Sequence, residues 1–223
     1  MKNSYLVLVI LFSLAVGCYP PPEYPDAPDI SFNDITFYDN ASGTDSLVLS
    51  INFRDGDGDL GLRPTETDAP YNPYEFVYDQ DGDFIDKGSS PDLPEDNCSN
   101  YATIEVDSTI RTVLVDPNPD FYNIEVDFFV LQDGEYEFFD LVRFRPGECG
   151  LSFYGRFPLL QDDEDLGSGP IEGVLNYRMK SSGFIGYFSP SDTLRLQVRI
   201  RDRALNESNQ IMTPPFTLNS IRN

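Results

Sequence analysis

Residues 47–62 read Leu-Val-Leu-Ser-Ile-Asn-Phe-Arg-Asp-Gly-Asp-Gly-Asp-Leu-Gly-Leu. In the first seven, Leu47, Leu49, Ile51 and Phe53 fall on one face, and Val48, Ser50 and Asn52 on the other. A period of two is the signature of a half-buried strand in an antiparallel sheet. The strand then runs into Asp55, Asp57 and Asp59, separated by Gly56 and Gly58. Carboxylates at alternate positions with glycine between them can all turn toward one centre. The stretch therefore predicts a strand that delivers an acidic loop.

The same alternation recurs on both sides. Leu194, Leu196, Val198 and Ile200 alternate with Arg195, Gln197, Arg199 and Arg201. Further strands are predicted at Ile30 to Tyr38, Glu75 to Tyr78, Tyr101 to Val106, Ile110 to Val115, Ile171 to Met179 and Phe216 to Leu218. Ile124 to Leu131 and Glu135 to Val142 flank Gln132-Asp133-Gly134, whose Asp-Gly step marks a hairpin. Helical periodicity is hard to find. Strands spaced by Pro, Gly and Asp turns predict an all-β fold, an antiparallel immunoglobulin-like β-sandwich with elaborated loops. The apolar faces of the first and last strong strands need each other, so one domain over 30–223 is expected.

Calcium takes 6–8 oxygen ligands, and a loop such as Asp55 to Asp59 supplies several. The spacing resembles the first half of an EF-hand loop, and Glu66 falls at its twelfth position. The glycine of position six is displaced to Gly61, and no helices flank the loop, so a strand-bounded cation loop is expected instead. The competing reading is a tight Asp-Gly turn that needs no ion. Mutual repulsion of three carboxylates within five residues favours the cation. Asp202 and Asn206, after the last strong strand, add oxygens if both ends of the sandwich meet. The expected ligand set is thus Asp55, Asp57, Asp59, Glu66, Asp202 and Asn206, holding a structural Ca2+. Asp79-Gln80-Asp81-Gly82-Asp83 repeats the alternation and reads first as an acidic hairpin tip. Asp162-Asp163-Glu164-Asp165 reads as a solvated charge run.

Composition removes other functions. The 223 residues hold 38 Asp+Glu, 15 Lys+Arg and no His, for a formal charge of −23. Without histidine there is no Ser-His-Asp or Cys-His catalysis and no histidine-ligated metal. The charge argues against nucleic acid and anionic lipid surfaces as partners. Among so many acids, a pair of carboxylates at glycosidase spacing arises by chance, so it is no argument for an enzyme. No enzymatic activity is expected.

The N-terminus carries an address. Met1-Lys2 is a basic start, and Tyr5 to Val16 is an apolar run too short for a bilayer span, which needs roughly 20 residues. Residues 1–17 fit a signal peptide. Leu14-Ala15-Val16-Gly17-Cys18 looks like a bacterial lipobox, with Cys18 lipidated. Residues 18–29, with Pro20, Pro21, Pro22, Pro25 and Pro28, should form a stiff polyproline-like tether. The two remaining cysteines, Cys98 and Cys149, read as a disulfide of an exported protein. Its loop of about 50 residues is worth roughly 4 kcal/mol in the chain-entropy model.

The lipobox, the Pro-rich tether, Phe53 to Leu62 and Ile200 to Thr213 together resemble a family of Bacteroidota outer-membrane lipoproteins. The resemblance implies an immunoglobulin-like sandwich and lipid anchoring at the outer membrane. It specifies neither the periplasmic face nor the cell surface. Such lipoproteins often serve as accessory subunits of outer-membrane barrels in uptake, barrel assembly or secretion. Asp45-Ser46-Leu47, Asp107-Ser108-Thr109 and Asp192-Thr193-Leu194 resemble that phylum's O-glycosylation signal.

The function expected is a non-catalytic interaction or accessory subunit of an outer-membrane barrel complex, anchored by lipid and stabilised by calcium. The alternative is a free-standing surface lipoprotein that binds carbohydrate or another ligand, which the absence of Trp disfavours. Tyr71, Tyr74, Phe184, Tyr187 and Phe188 are candidates for a partner patch, although core packing is the commoner use of such residues.

Overall fold

The computed structural model describes residues 22–40, 44–94, 100–144, 152–161, 165–181 and 184–223. The signal segment 1–17, Cys18, Cys98, Cys149 and most of the charge run at 162–165 lie outside the described residues.

The fold is all-β, with ten strands among the described residues: β1 Asp29–Tyr38, β2 Asp45–Asp55, β3 Tyr74–Phe76, β4 Tyr101–Val106, β5 Thr109–Pro117, β6 Ile124–Gln132, β7 Glu135–Phe138, β8 Ile171–Ser181, β9 Leu194–Ile200 and β10 Ile211–Met212. Two four-residue helices, α1 Leu141–Phe144 and α2 Phe184–Tyr187, and one 3-10 turn at Pro119–Phe121 complete it. The sheets are antiparallel, in the orders β1-β2-β8, β10-β9-β6-β7 and β3-β5-β4.

The first two sheets turn their apolar faces into one core. Leu47, Leu49, Ile51 and Phe53 of β2 share it with Ile124, Val126, Phe128 and Val130 of β6 and with Leu194, Leu196, Val198 and Ile200 of β9. Burying each such side chain contributes roughly 1.5–3 kcal/mol. In β1 the inward set changes parity, from Ile30 to Ile35 and Phe37, because the register slips between Phe32 and Asp34. A bulge of this kind adds one residue and turns the strand over. On the outer face, Arg199 pairs with Glu125 at 2.6 Å and Glu207 at 2.9 Å.

The third sheet keeps a small cluster of its own. Ala102, Val113 and Val115 are its buried members, with Tyr74, Phe76, Phe84 and Ile104 packed against them. Its β4–β5 hairpin turns at Asp107 and Ser108, both at positive φ.

Three expectations are corrected in detail. The hairpin turns at Asp133-Gly134, but its second arm stops at Phe138, and Leu141–Phe144 is a helical turn. Phe216 to Leu218 makes only a single bridge, Phe216 to Leu194. Phe184 and Phe188 are four apart on a helical turn, and both are fully buried in the main core, Phe188 stacked on Phe128 at 5.2 Å. Tyr74 packs in the small cluster, and the Tyr71 hydroxyl donates to the Arg203 carbonyl, so these aromatics do not form a common patch. Ser46 is also buried, with its hydroxyl accepting from Arg178 at 2.9 Å.

Candidate metal centre

The inward series of β2 does not end at Phe53. Two residues on, with the same parity, comes Asp55, fully buried at the strand's last position. The inward series of β9 likewise continues past Ile200 to Asp202, 2 % exposed. Both carboxylates are therefore aimed into the space between the sheets at the same end of the molecule. Asp57 and Asp59 follow from the loop. One carboxylate oxygen from each of Asp55, Asp57, Asp59 and Asp202 lies within 4.8 Å of the others.

The loop is fixed on every side. Leu60 and Leu62 are buried anchors. The Leu62 N–H donates to the Phe157 carbonyl at 3.1 Å. Phe157 in turn exchanges two hydrogen bonds with the buried Asn123 side chain, at 2.8 and 3.0 Å. The Asn123 carbonyl accepts the Arg201 N–H at 3.0 Å, so a short relay ties the acidic loop to the end of β9. Gly58 has a φ of 72°, and a Cβ there would stand 2.2 Å from the Gly169 carbonyl oxygen. Its own carbonyl accepts from Gln161 and from the Gly167 N–H, both at 3.0 Å. Only glycine fits this position.

Some of the carboxylate oxygens are satisfied. Asp55 Oδ2 accepts the Asp59 N–H at 3.0 Å. Asp202 accepts the Asn206 N–H at 2.7 Å and the Asn206 side-chain Nδ2 at 2.8 Å. Asp55 Oδ1 and Asp57 Oδ1 are buried and have no hydrogen-bond partner. Among the described residues, no Lys or Arg forms an ion pair with any of the four carboxylates. A buried, unpaired anion is costly, and one fully buried oxygen without a donor costs about 1–3 kcal/mol or more. The titration behaviour reflects this. Burial first, then repulsion from Asp57, pushes Asp55 up to about 7. Burial, then repulsion from Asp202, pushes Asp59 up to about 6. Asp202 is raised as well, chiefly by burial.

This donor set suits a hard cation. Oxygens bound to one calcium at roughly 2.3–2.6 Å stand no more than about 5 Å apart, and these four meet that limit. All are carboxylates, and the chain has no histidine, so nothing here selects a softer metal.

Two expected ligands serve differently. Glu66 leaves the site and grips Arg203, accepting from both guanidinium nitrogens at 2.5 and 2.7 Å. It also accepts the Arg63 N–H at 2.6 Å. The Arg203 fork first, with the Arg63 contacts behind it, holds Glu66 down near 2. Counting along an EF-hand pattern put it in the site; here the fourth carboxylate comes from the opposite sheet instead. Asn206 orients Asp202 through its amide nitrogen. The second acidic loop folds on itself. Asp79 Oδ1 accepts the N–H groups of Asp81 and Asp83, each at 2.9 Å, and Asp79 to Asp83 are exposed. It is a turn tip.

The sequence reading missed where the tether goes. Tyr24 and Pro25 lie against the acidic loop, with the Gly56 N–H donating to the Pro25 carbonyl at 2.9 Å.

Comparison with family models, with curated proteins and with solved structures returned no match.

Proposed function

We propose that the protein is a non-catalytic outer-membrane lipoprotein, an interaction or accessory subunit of an outer-membrane barrel complex, stiffened by calcium. Its two facing sheets are read as an immunoglobulin-like sandwich. Cys18 carries the lipid, and Cys98 pairs with Cys149. The observation that carries the reading is the group Asp55, Asp57, Asp59 and Asp202, with two buried oxygens that lack donors. It lies where two strand ends meet, and its backbone is sealed by Gln161, Gly167 and Pro25. An ion there holds a frame together. It turns nothing over, and a rigid frame presents a preformed binding face at lower entropic cost. The lipobox and Pro-rich tether support the address, and confinement to a membrane raises the effective concentration near a membrane partner.

Two measurements test this reading. Titration calorimetry on the whole chain in detergent should show one calcium bound. A mild-detergent pull-down of the tagged lipoprotein, followed by mass spectrometry, should recover a stoichiometric barrel protein. A chain that comes down alone overturns the accessory-subunit reading.

A further inference from the structure

The tether and the cation site share a peptide. Gly56 stands between Asp55 and Asp57, the two residues whose buried oxygens lack donors. Its N–H donates to the Pro25 carbonyl at 2.9 Å. The approach is so close that a Cβ on residue 56 would stand 2.4 Å from the Tyr24 carbonyl oxygen and 2.7 Å from that of Pro25. A second contact flanks this one. The Tyr24 hydroxyl donates to Glu172 at 2.8 Å, and the Arg54 guanidinium lies 5.6 Å from the Tyr24 ring centre. Pro28 is buried, and β1 begins at Asp29, opposite Arg54. The chain is thus pinned from Tyr24 onward, five residues before the first strand.

We propose that cation binding and tether docking are one coupled event: the ion that gathers Asp55, Asp57 and Asp59 also fixes the backbone on which Tyr24 and Pro25 sit. This rests on the cation reading given above. Without an ion, four carboxylates within 4.8 Å repel one another, and the peptides between them move apart. The Gly56 N–H moves with them. With the ion bound, the carboxylates converge and the docking surface for Tyr24 and Pro25 is formed. Coupling of this kind is reciprocal, so docking the tether must also tighten the cation. Calcium then fixes the path of the chain from Tyr24 into β1.

Hydrogen exchange on the whole chain in detergent, in saturating calcium and in EGTA, tests the coupling. Calcium should slow exchange on the order of ten-fold or more both at Gly56 to Leu62 and at Glu23 to Asp29. Tyr24→Ala should abolish the tether's response and raise the calcium Kd about five-fold, the lower end of ordinary coupling between sites. Tyr24→Phe, which keeps the ring and loses only the hydroxyl, should fall between the two. If calcium slows the loop but not the tether, and Tyr24→Ala binds calcium as the wild type does, the coupling is overturned and the cation site stands. If calorimetry detects no calcium binding, both are overturned together.

Discussion

Asp55 to Asp59 and Asp79 to Asp83 each carry three carboxylates at the same spacing, yet they end in different physical states. In the second loop Asp79 spends its oxygen on the N–H groups of Asp81 and Asp83, and water screens the rest. In the first, Asp55 is fully buried, two oxygens lack donors, and a fourth carboxylate arrives from another sheet. Spacing alone did not separate them. What differs is the strand before each loop. An eleven-residue strand with a strict inward series leads into Asp55, whereas a three-residue strand in a sheet with a small core precedes Asp79. A cation loop needs a rigid support that keeps the charges together against their repulsion. A hairpin tip needs none.

The strongest way to break this contrast is to remove the ion. A cation at a hundred times its Kd contributes roughly 2.7 kcal/mol. A domain of this size moves roughly 2–4 °C per kcal/mol. EGTA should therefore lower the melting temperature by about 5–10 °C in scanning calorimetry, and an unchanged melt would remove calcium from the account. Asp57→Asn should weaken calcium at least ten-fold by calorimetric titration, a loss of roughly 1.4 kcal/mol. In EGTA the same variant should melt above the wild type, because it removes one of four repelling charges. A variant that melts lower in both conditions would argue that Asp57 acts as a turn residue.

Glu66→Gln sharpens the boundary of the site. Losing a charge-assisted fork to Arg203 should cost about 1–3 kcal/mol in denaturant unfolding. Calcium affinity should stay within about two-fold, a difference near RT ln 2. A loss as large as that of Asp57→Asn would return Glu66 to the ligand set.

The pH dependence follows from the same geometry. Asp55 and Asp59, raised to about 7 and about 6, hold protons in the folded state that the unfolded chain has lost above pH about 4. Stability in EGTA should thus be greatest near pH 4 and fall as pH rises toward 7. Glu66, depressed to about 2, acts in the opposite sense, but only below pH about 4.5. In calcium the decline should vanish, because the cation displaces those protons. A melting temperature in EGTA that climbs from pH 4 to 7 would contradict the buried cluster. The smallest effects belong to the second loop. Asp81→Asn should change stability by less than about 0.5 kcal/mol, with or without calcium. Asp79→Ala should cost about 1 kcal/mol for its lost turn bonds. A calcium-dependent shift in either would erase the contrast.

Much of this was legible beforehand. Period-two alternation located β2, β6 and β9, because one face of each is buried and the other wet. Asp55 and Asp202 were legible as well, since each continues an inward series by one more step of two. Glu66 was misplaced because counting along the loop is blind to Arg203, whose guanidinium takes up both Glu66 oxygens from 137 residues away. The end of β7 was misjudged because Phe139 turns back, its N–H reaching the Phe128 carbonyl at 2.8 Å, and the chain enters a helical turn. The docking of Tyr24 left no trace in composition. Gly56 reads as a turn glycine, and only the backbone pressed against it reveals why it has no side chain.

Asp202 reaches the acidic loop only after β9 has packed opposite β2. The Arg203 N–H and Asp59, which touch there, are 144 residues apart in the chain. Until that contact forms, the loop offers only three of the four carboxylates. On the proposed cation reading, the ion's binding energy goes almost entirely to the folded state. On that reading occupancy becomes a record of completed assembly, because the four carboxylates meet only once Asp202 stands beside the Asp55 to Asp59 loop.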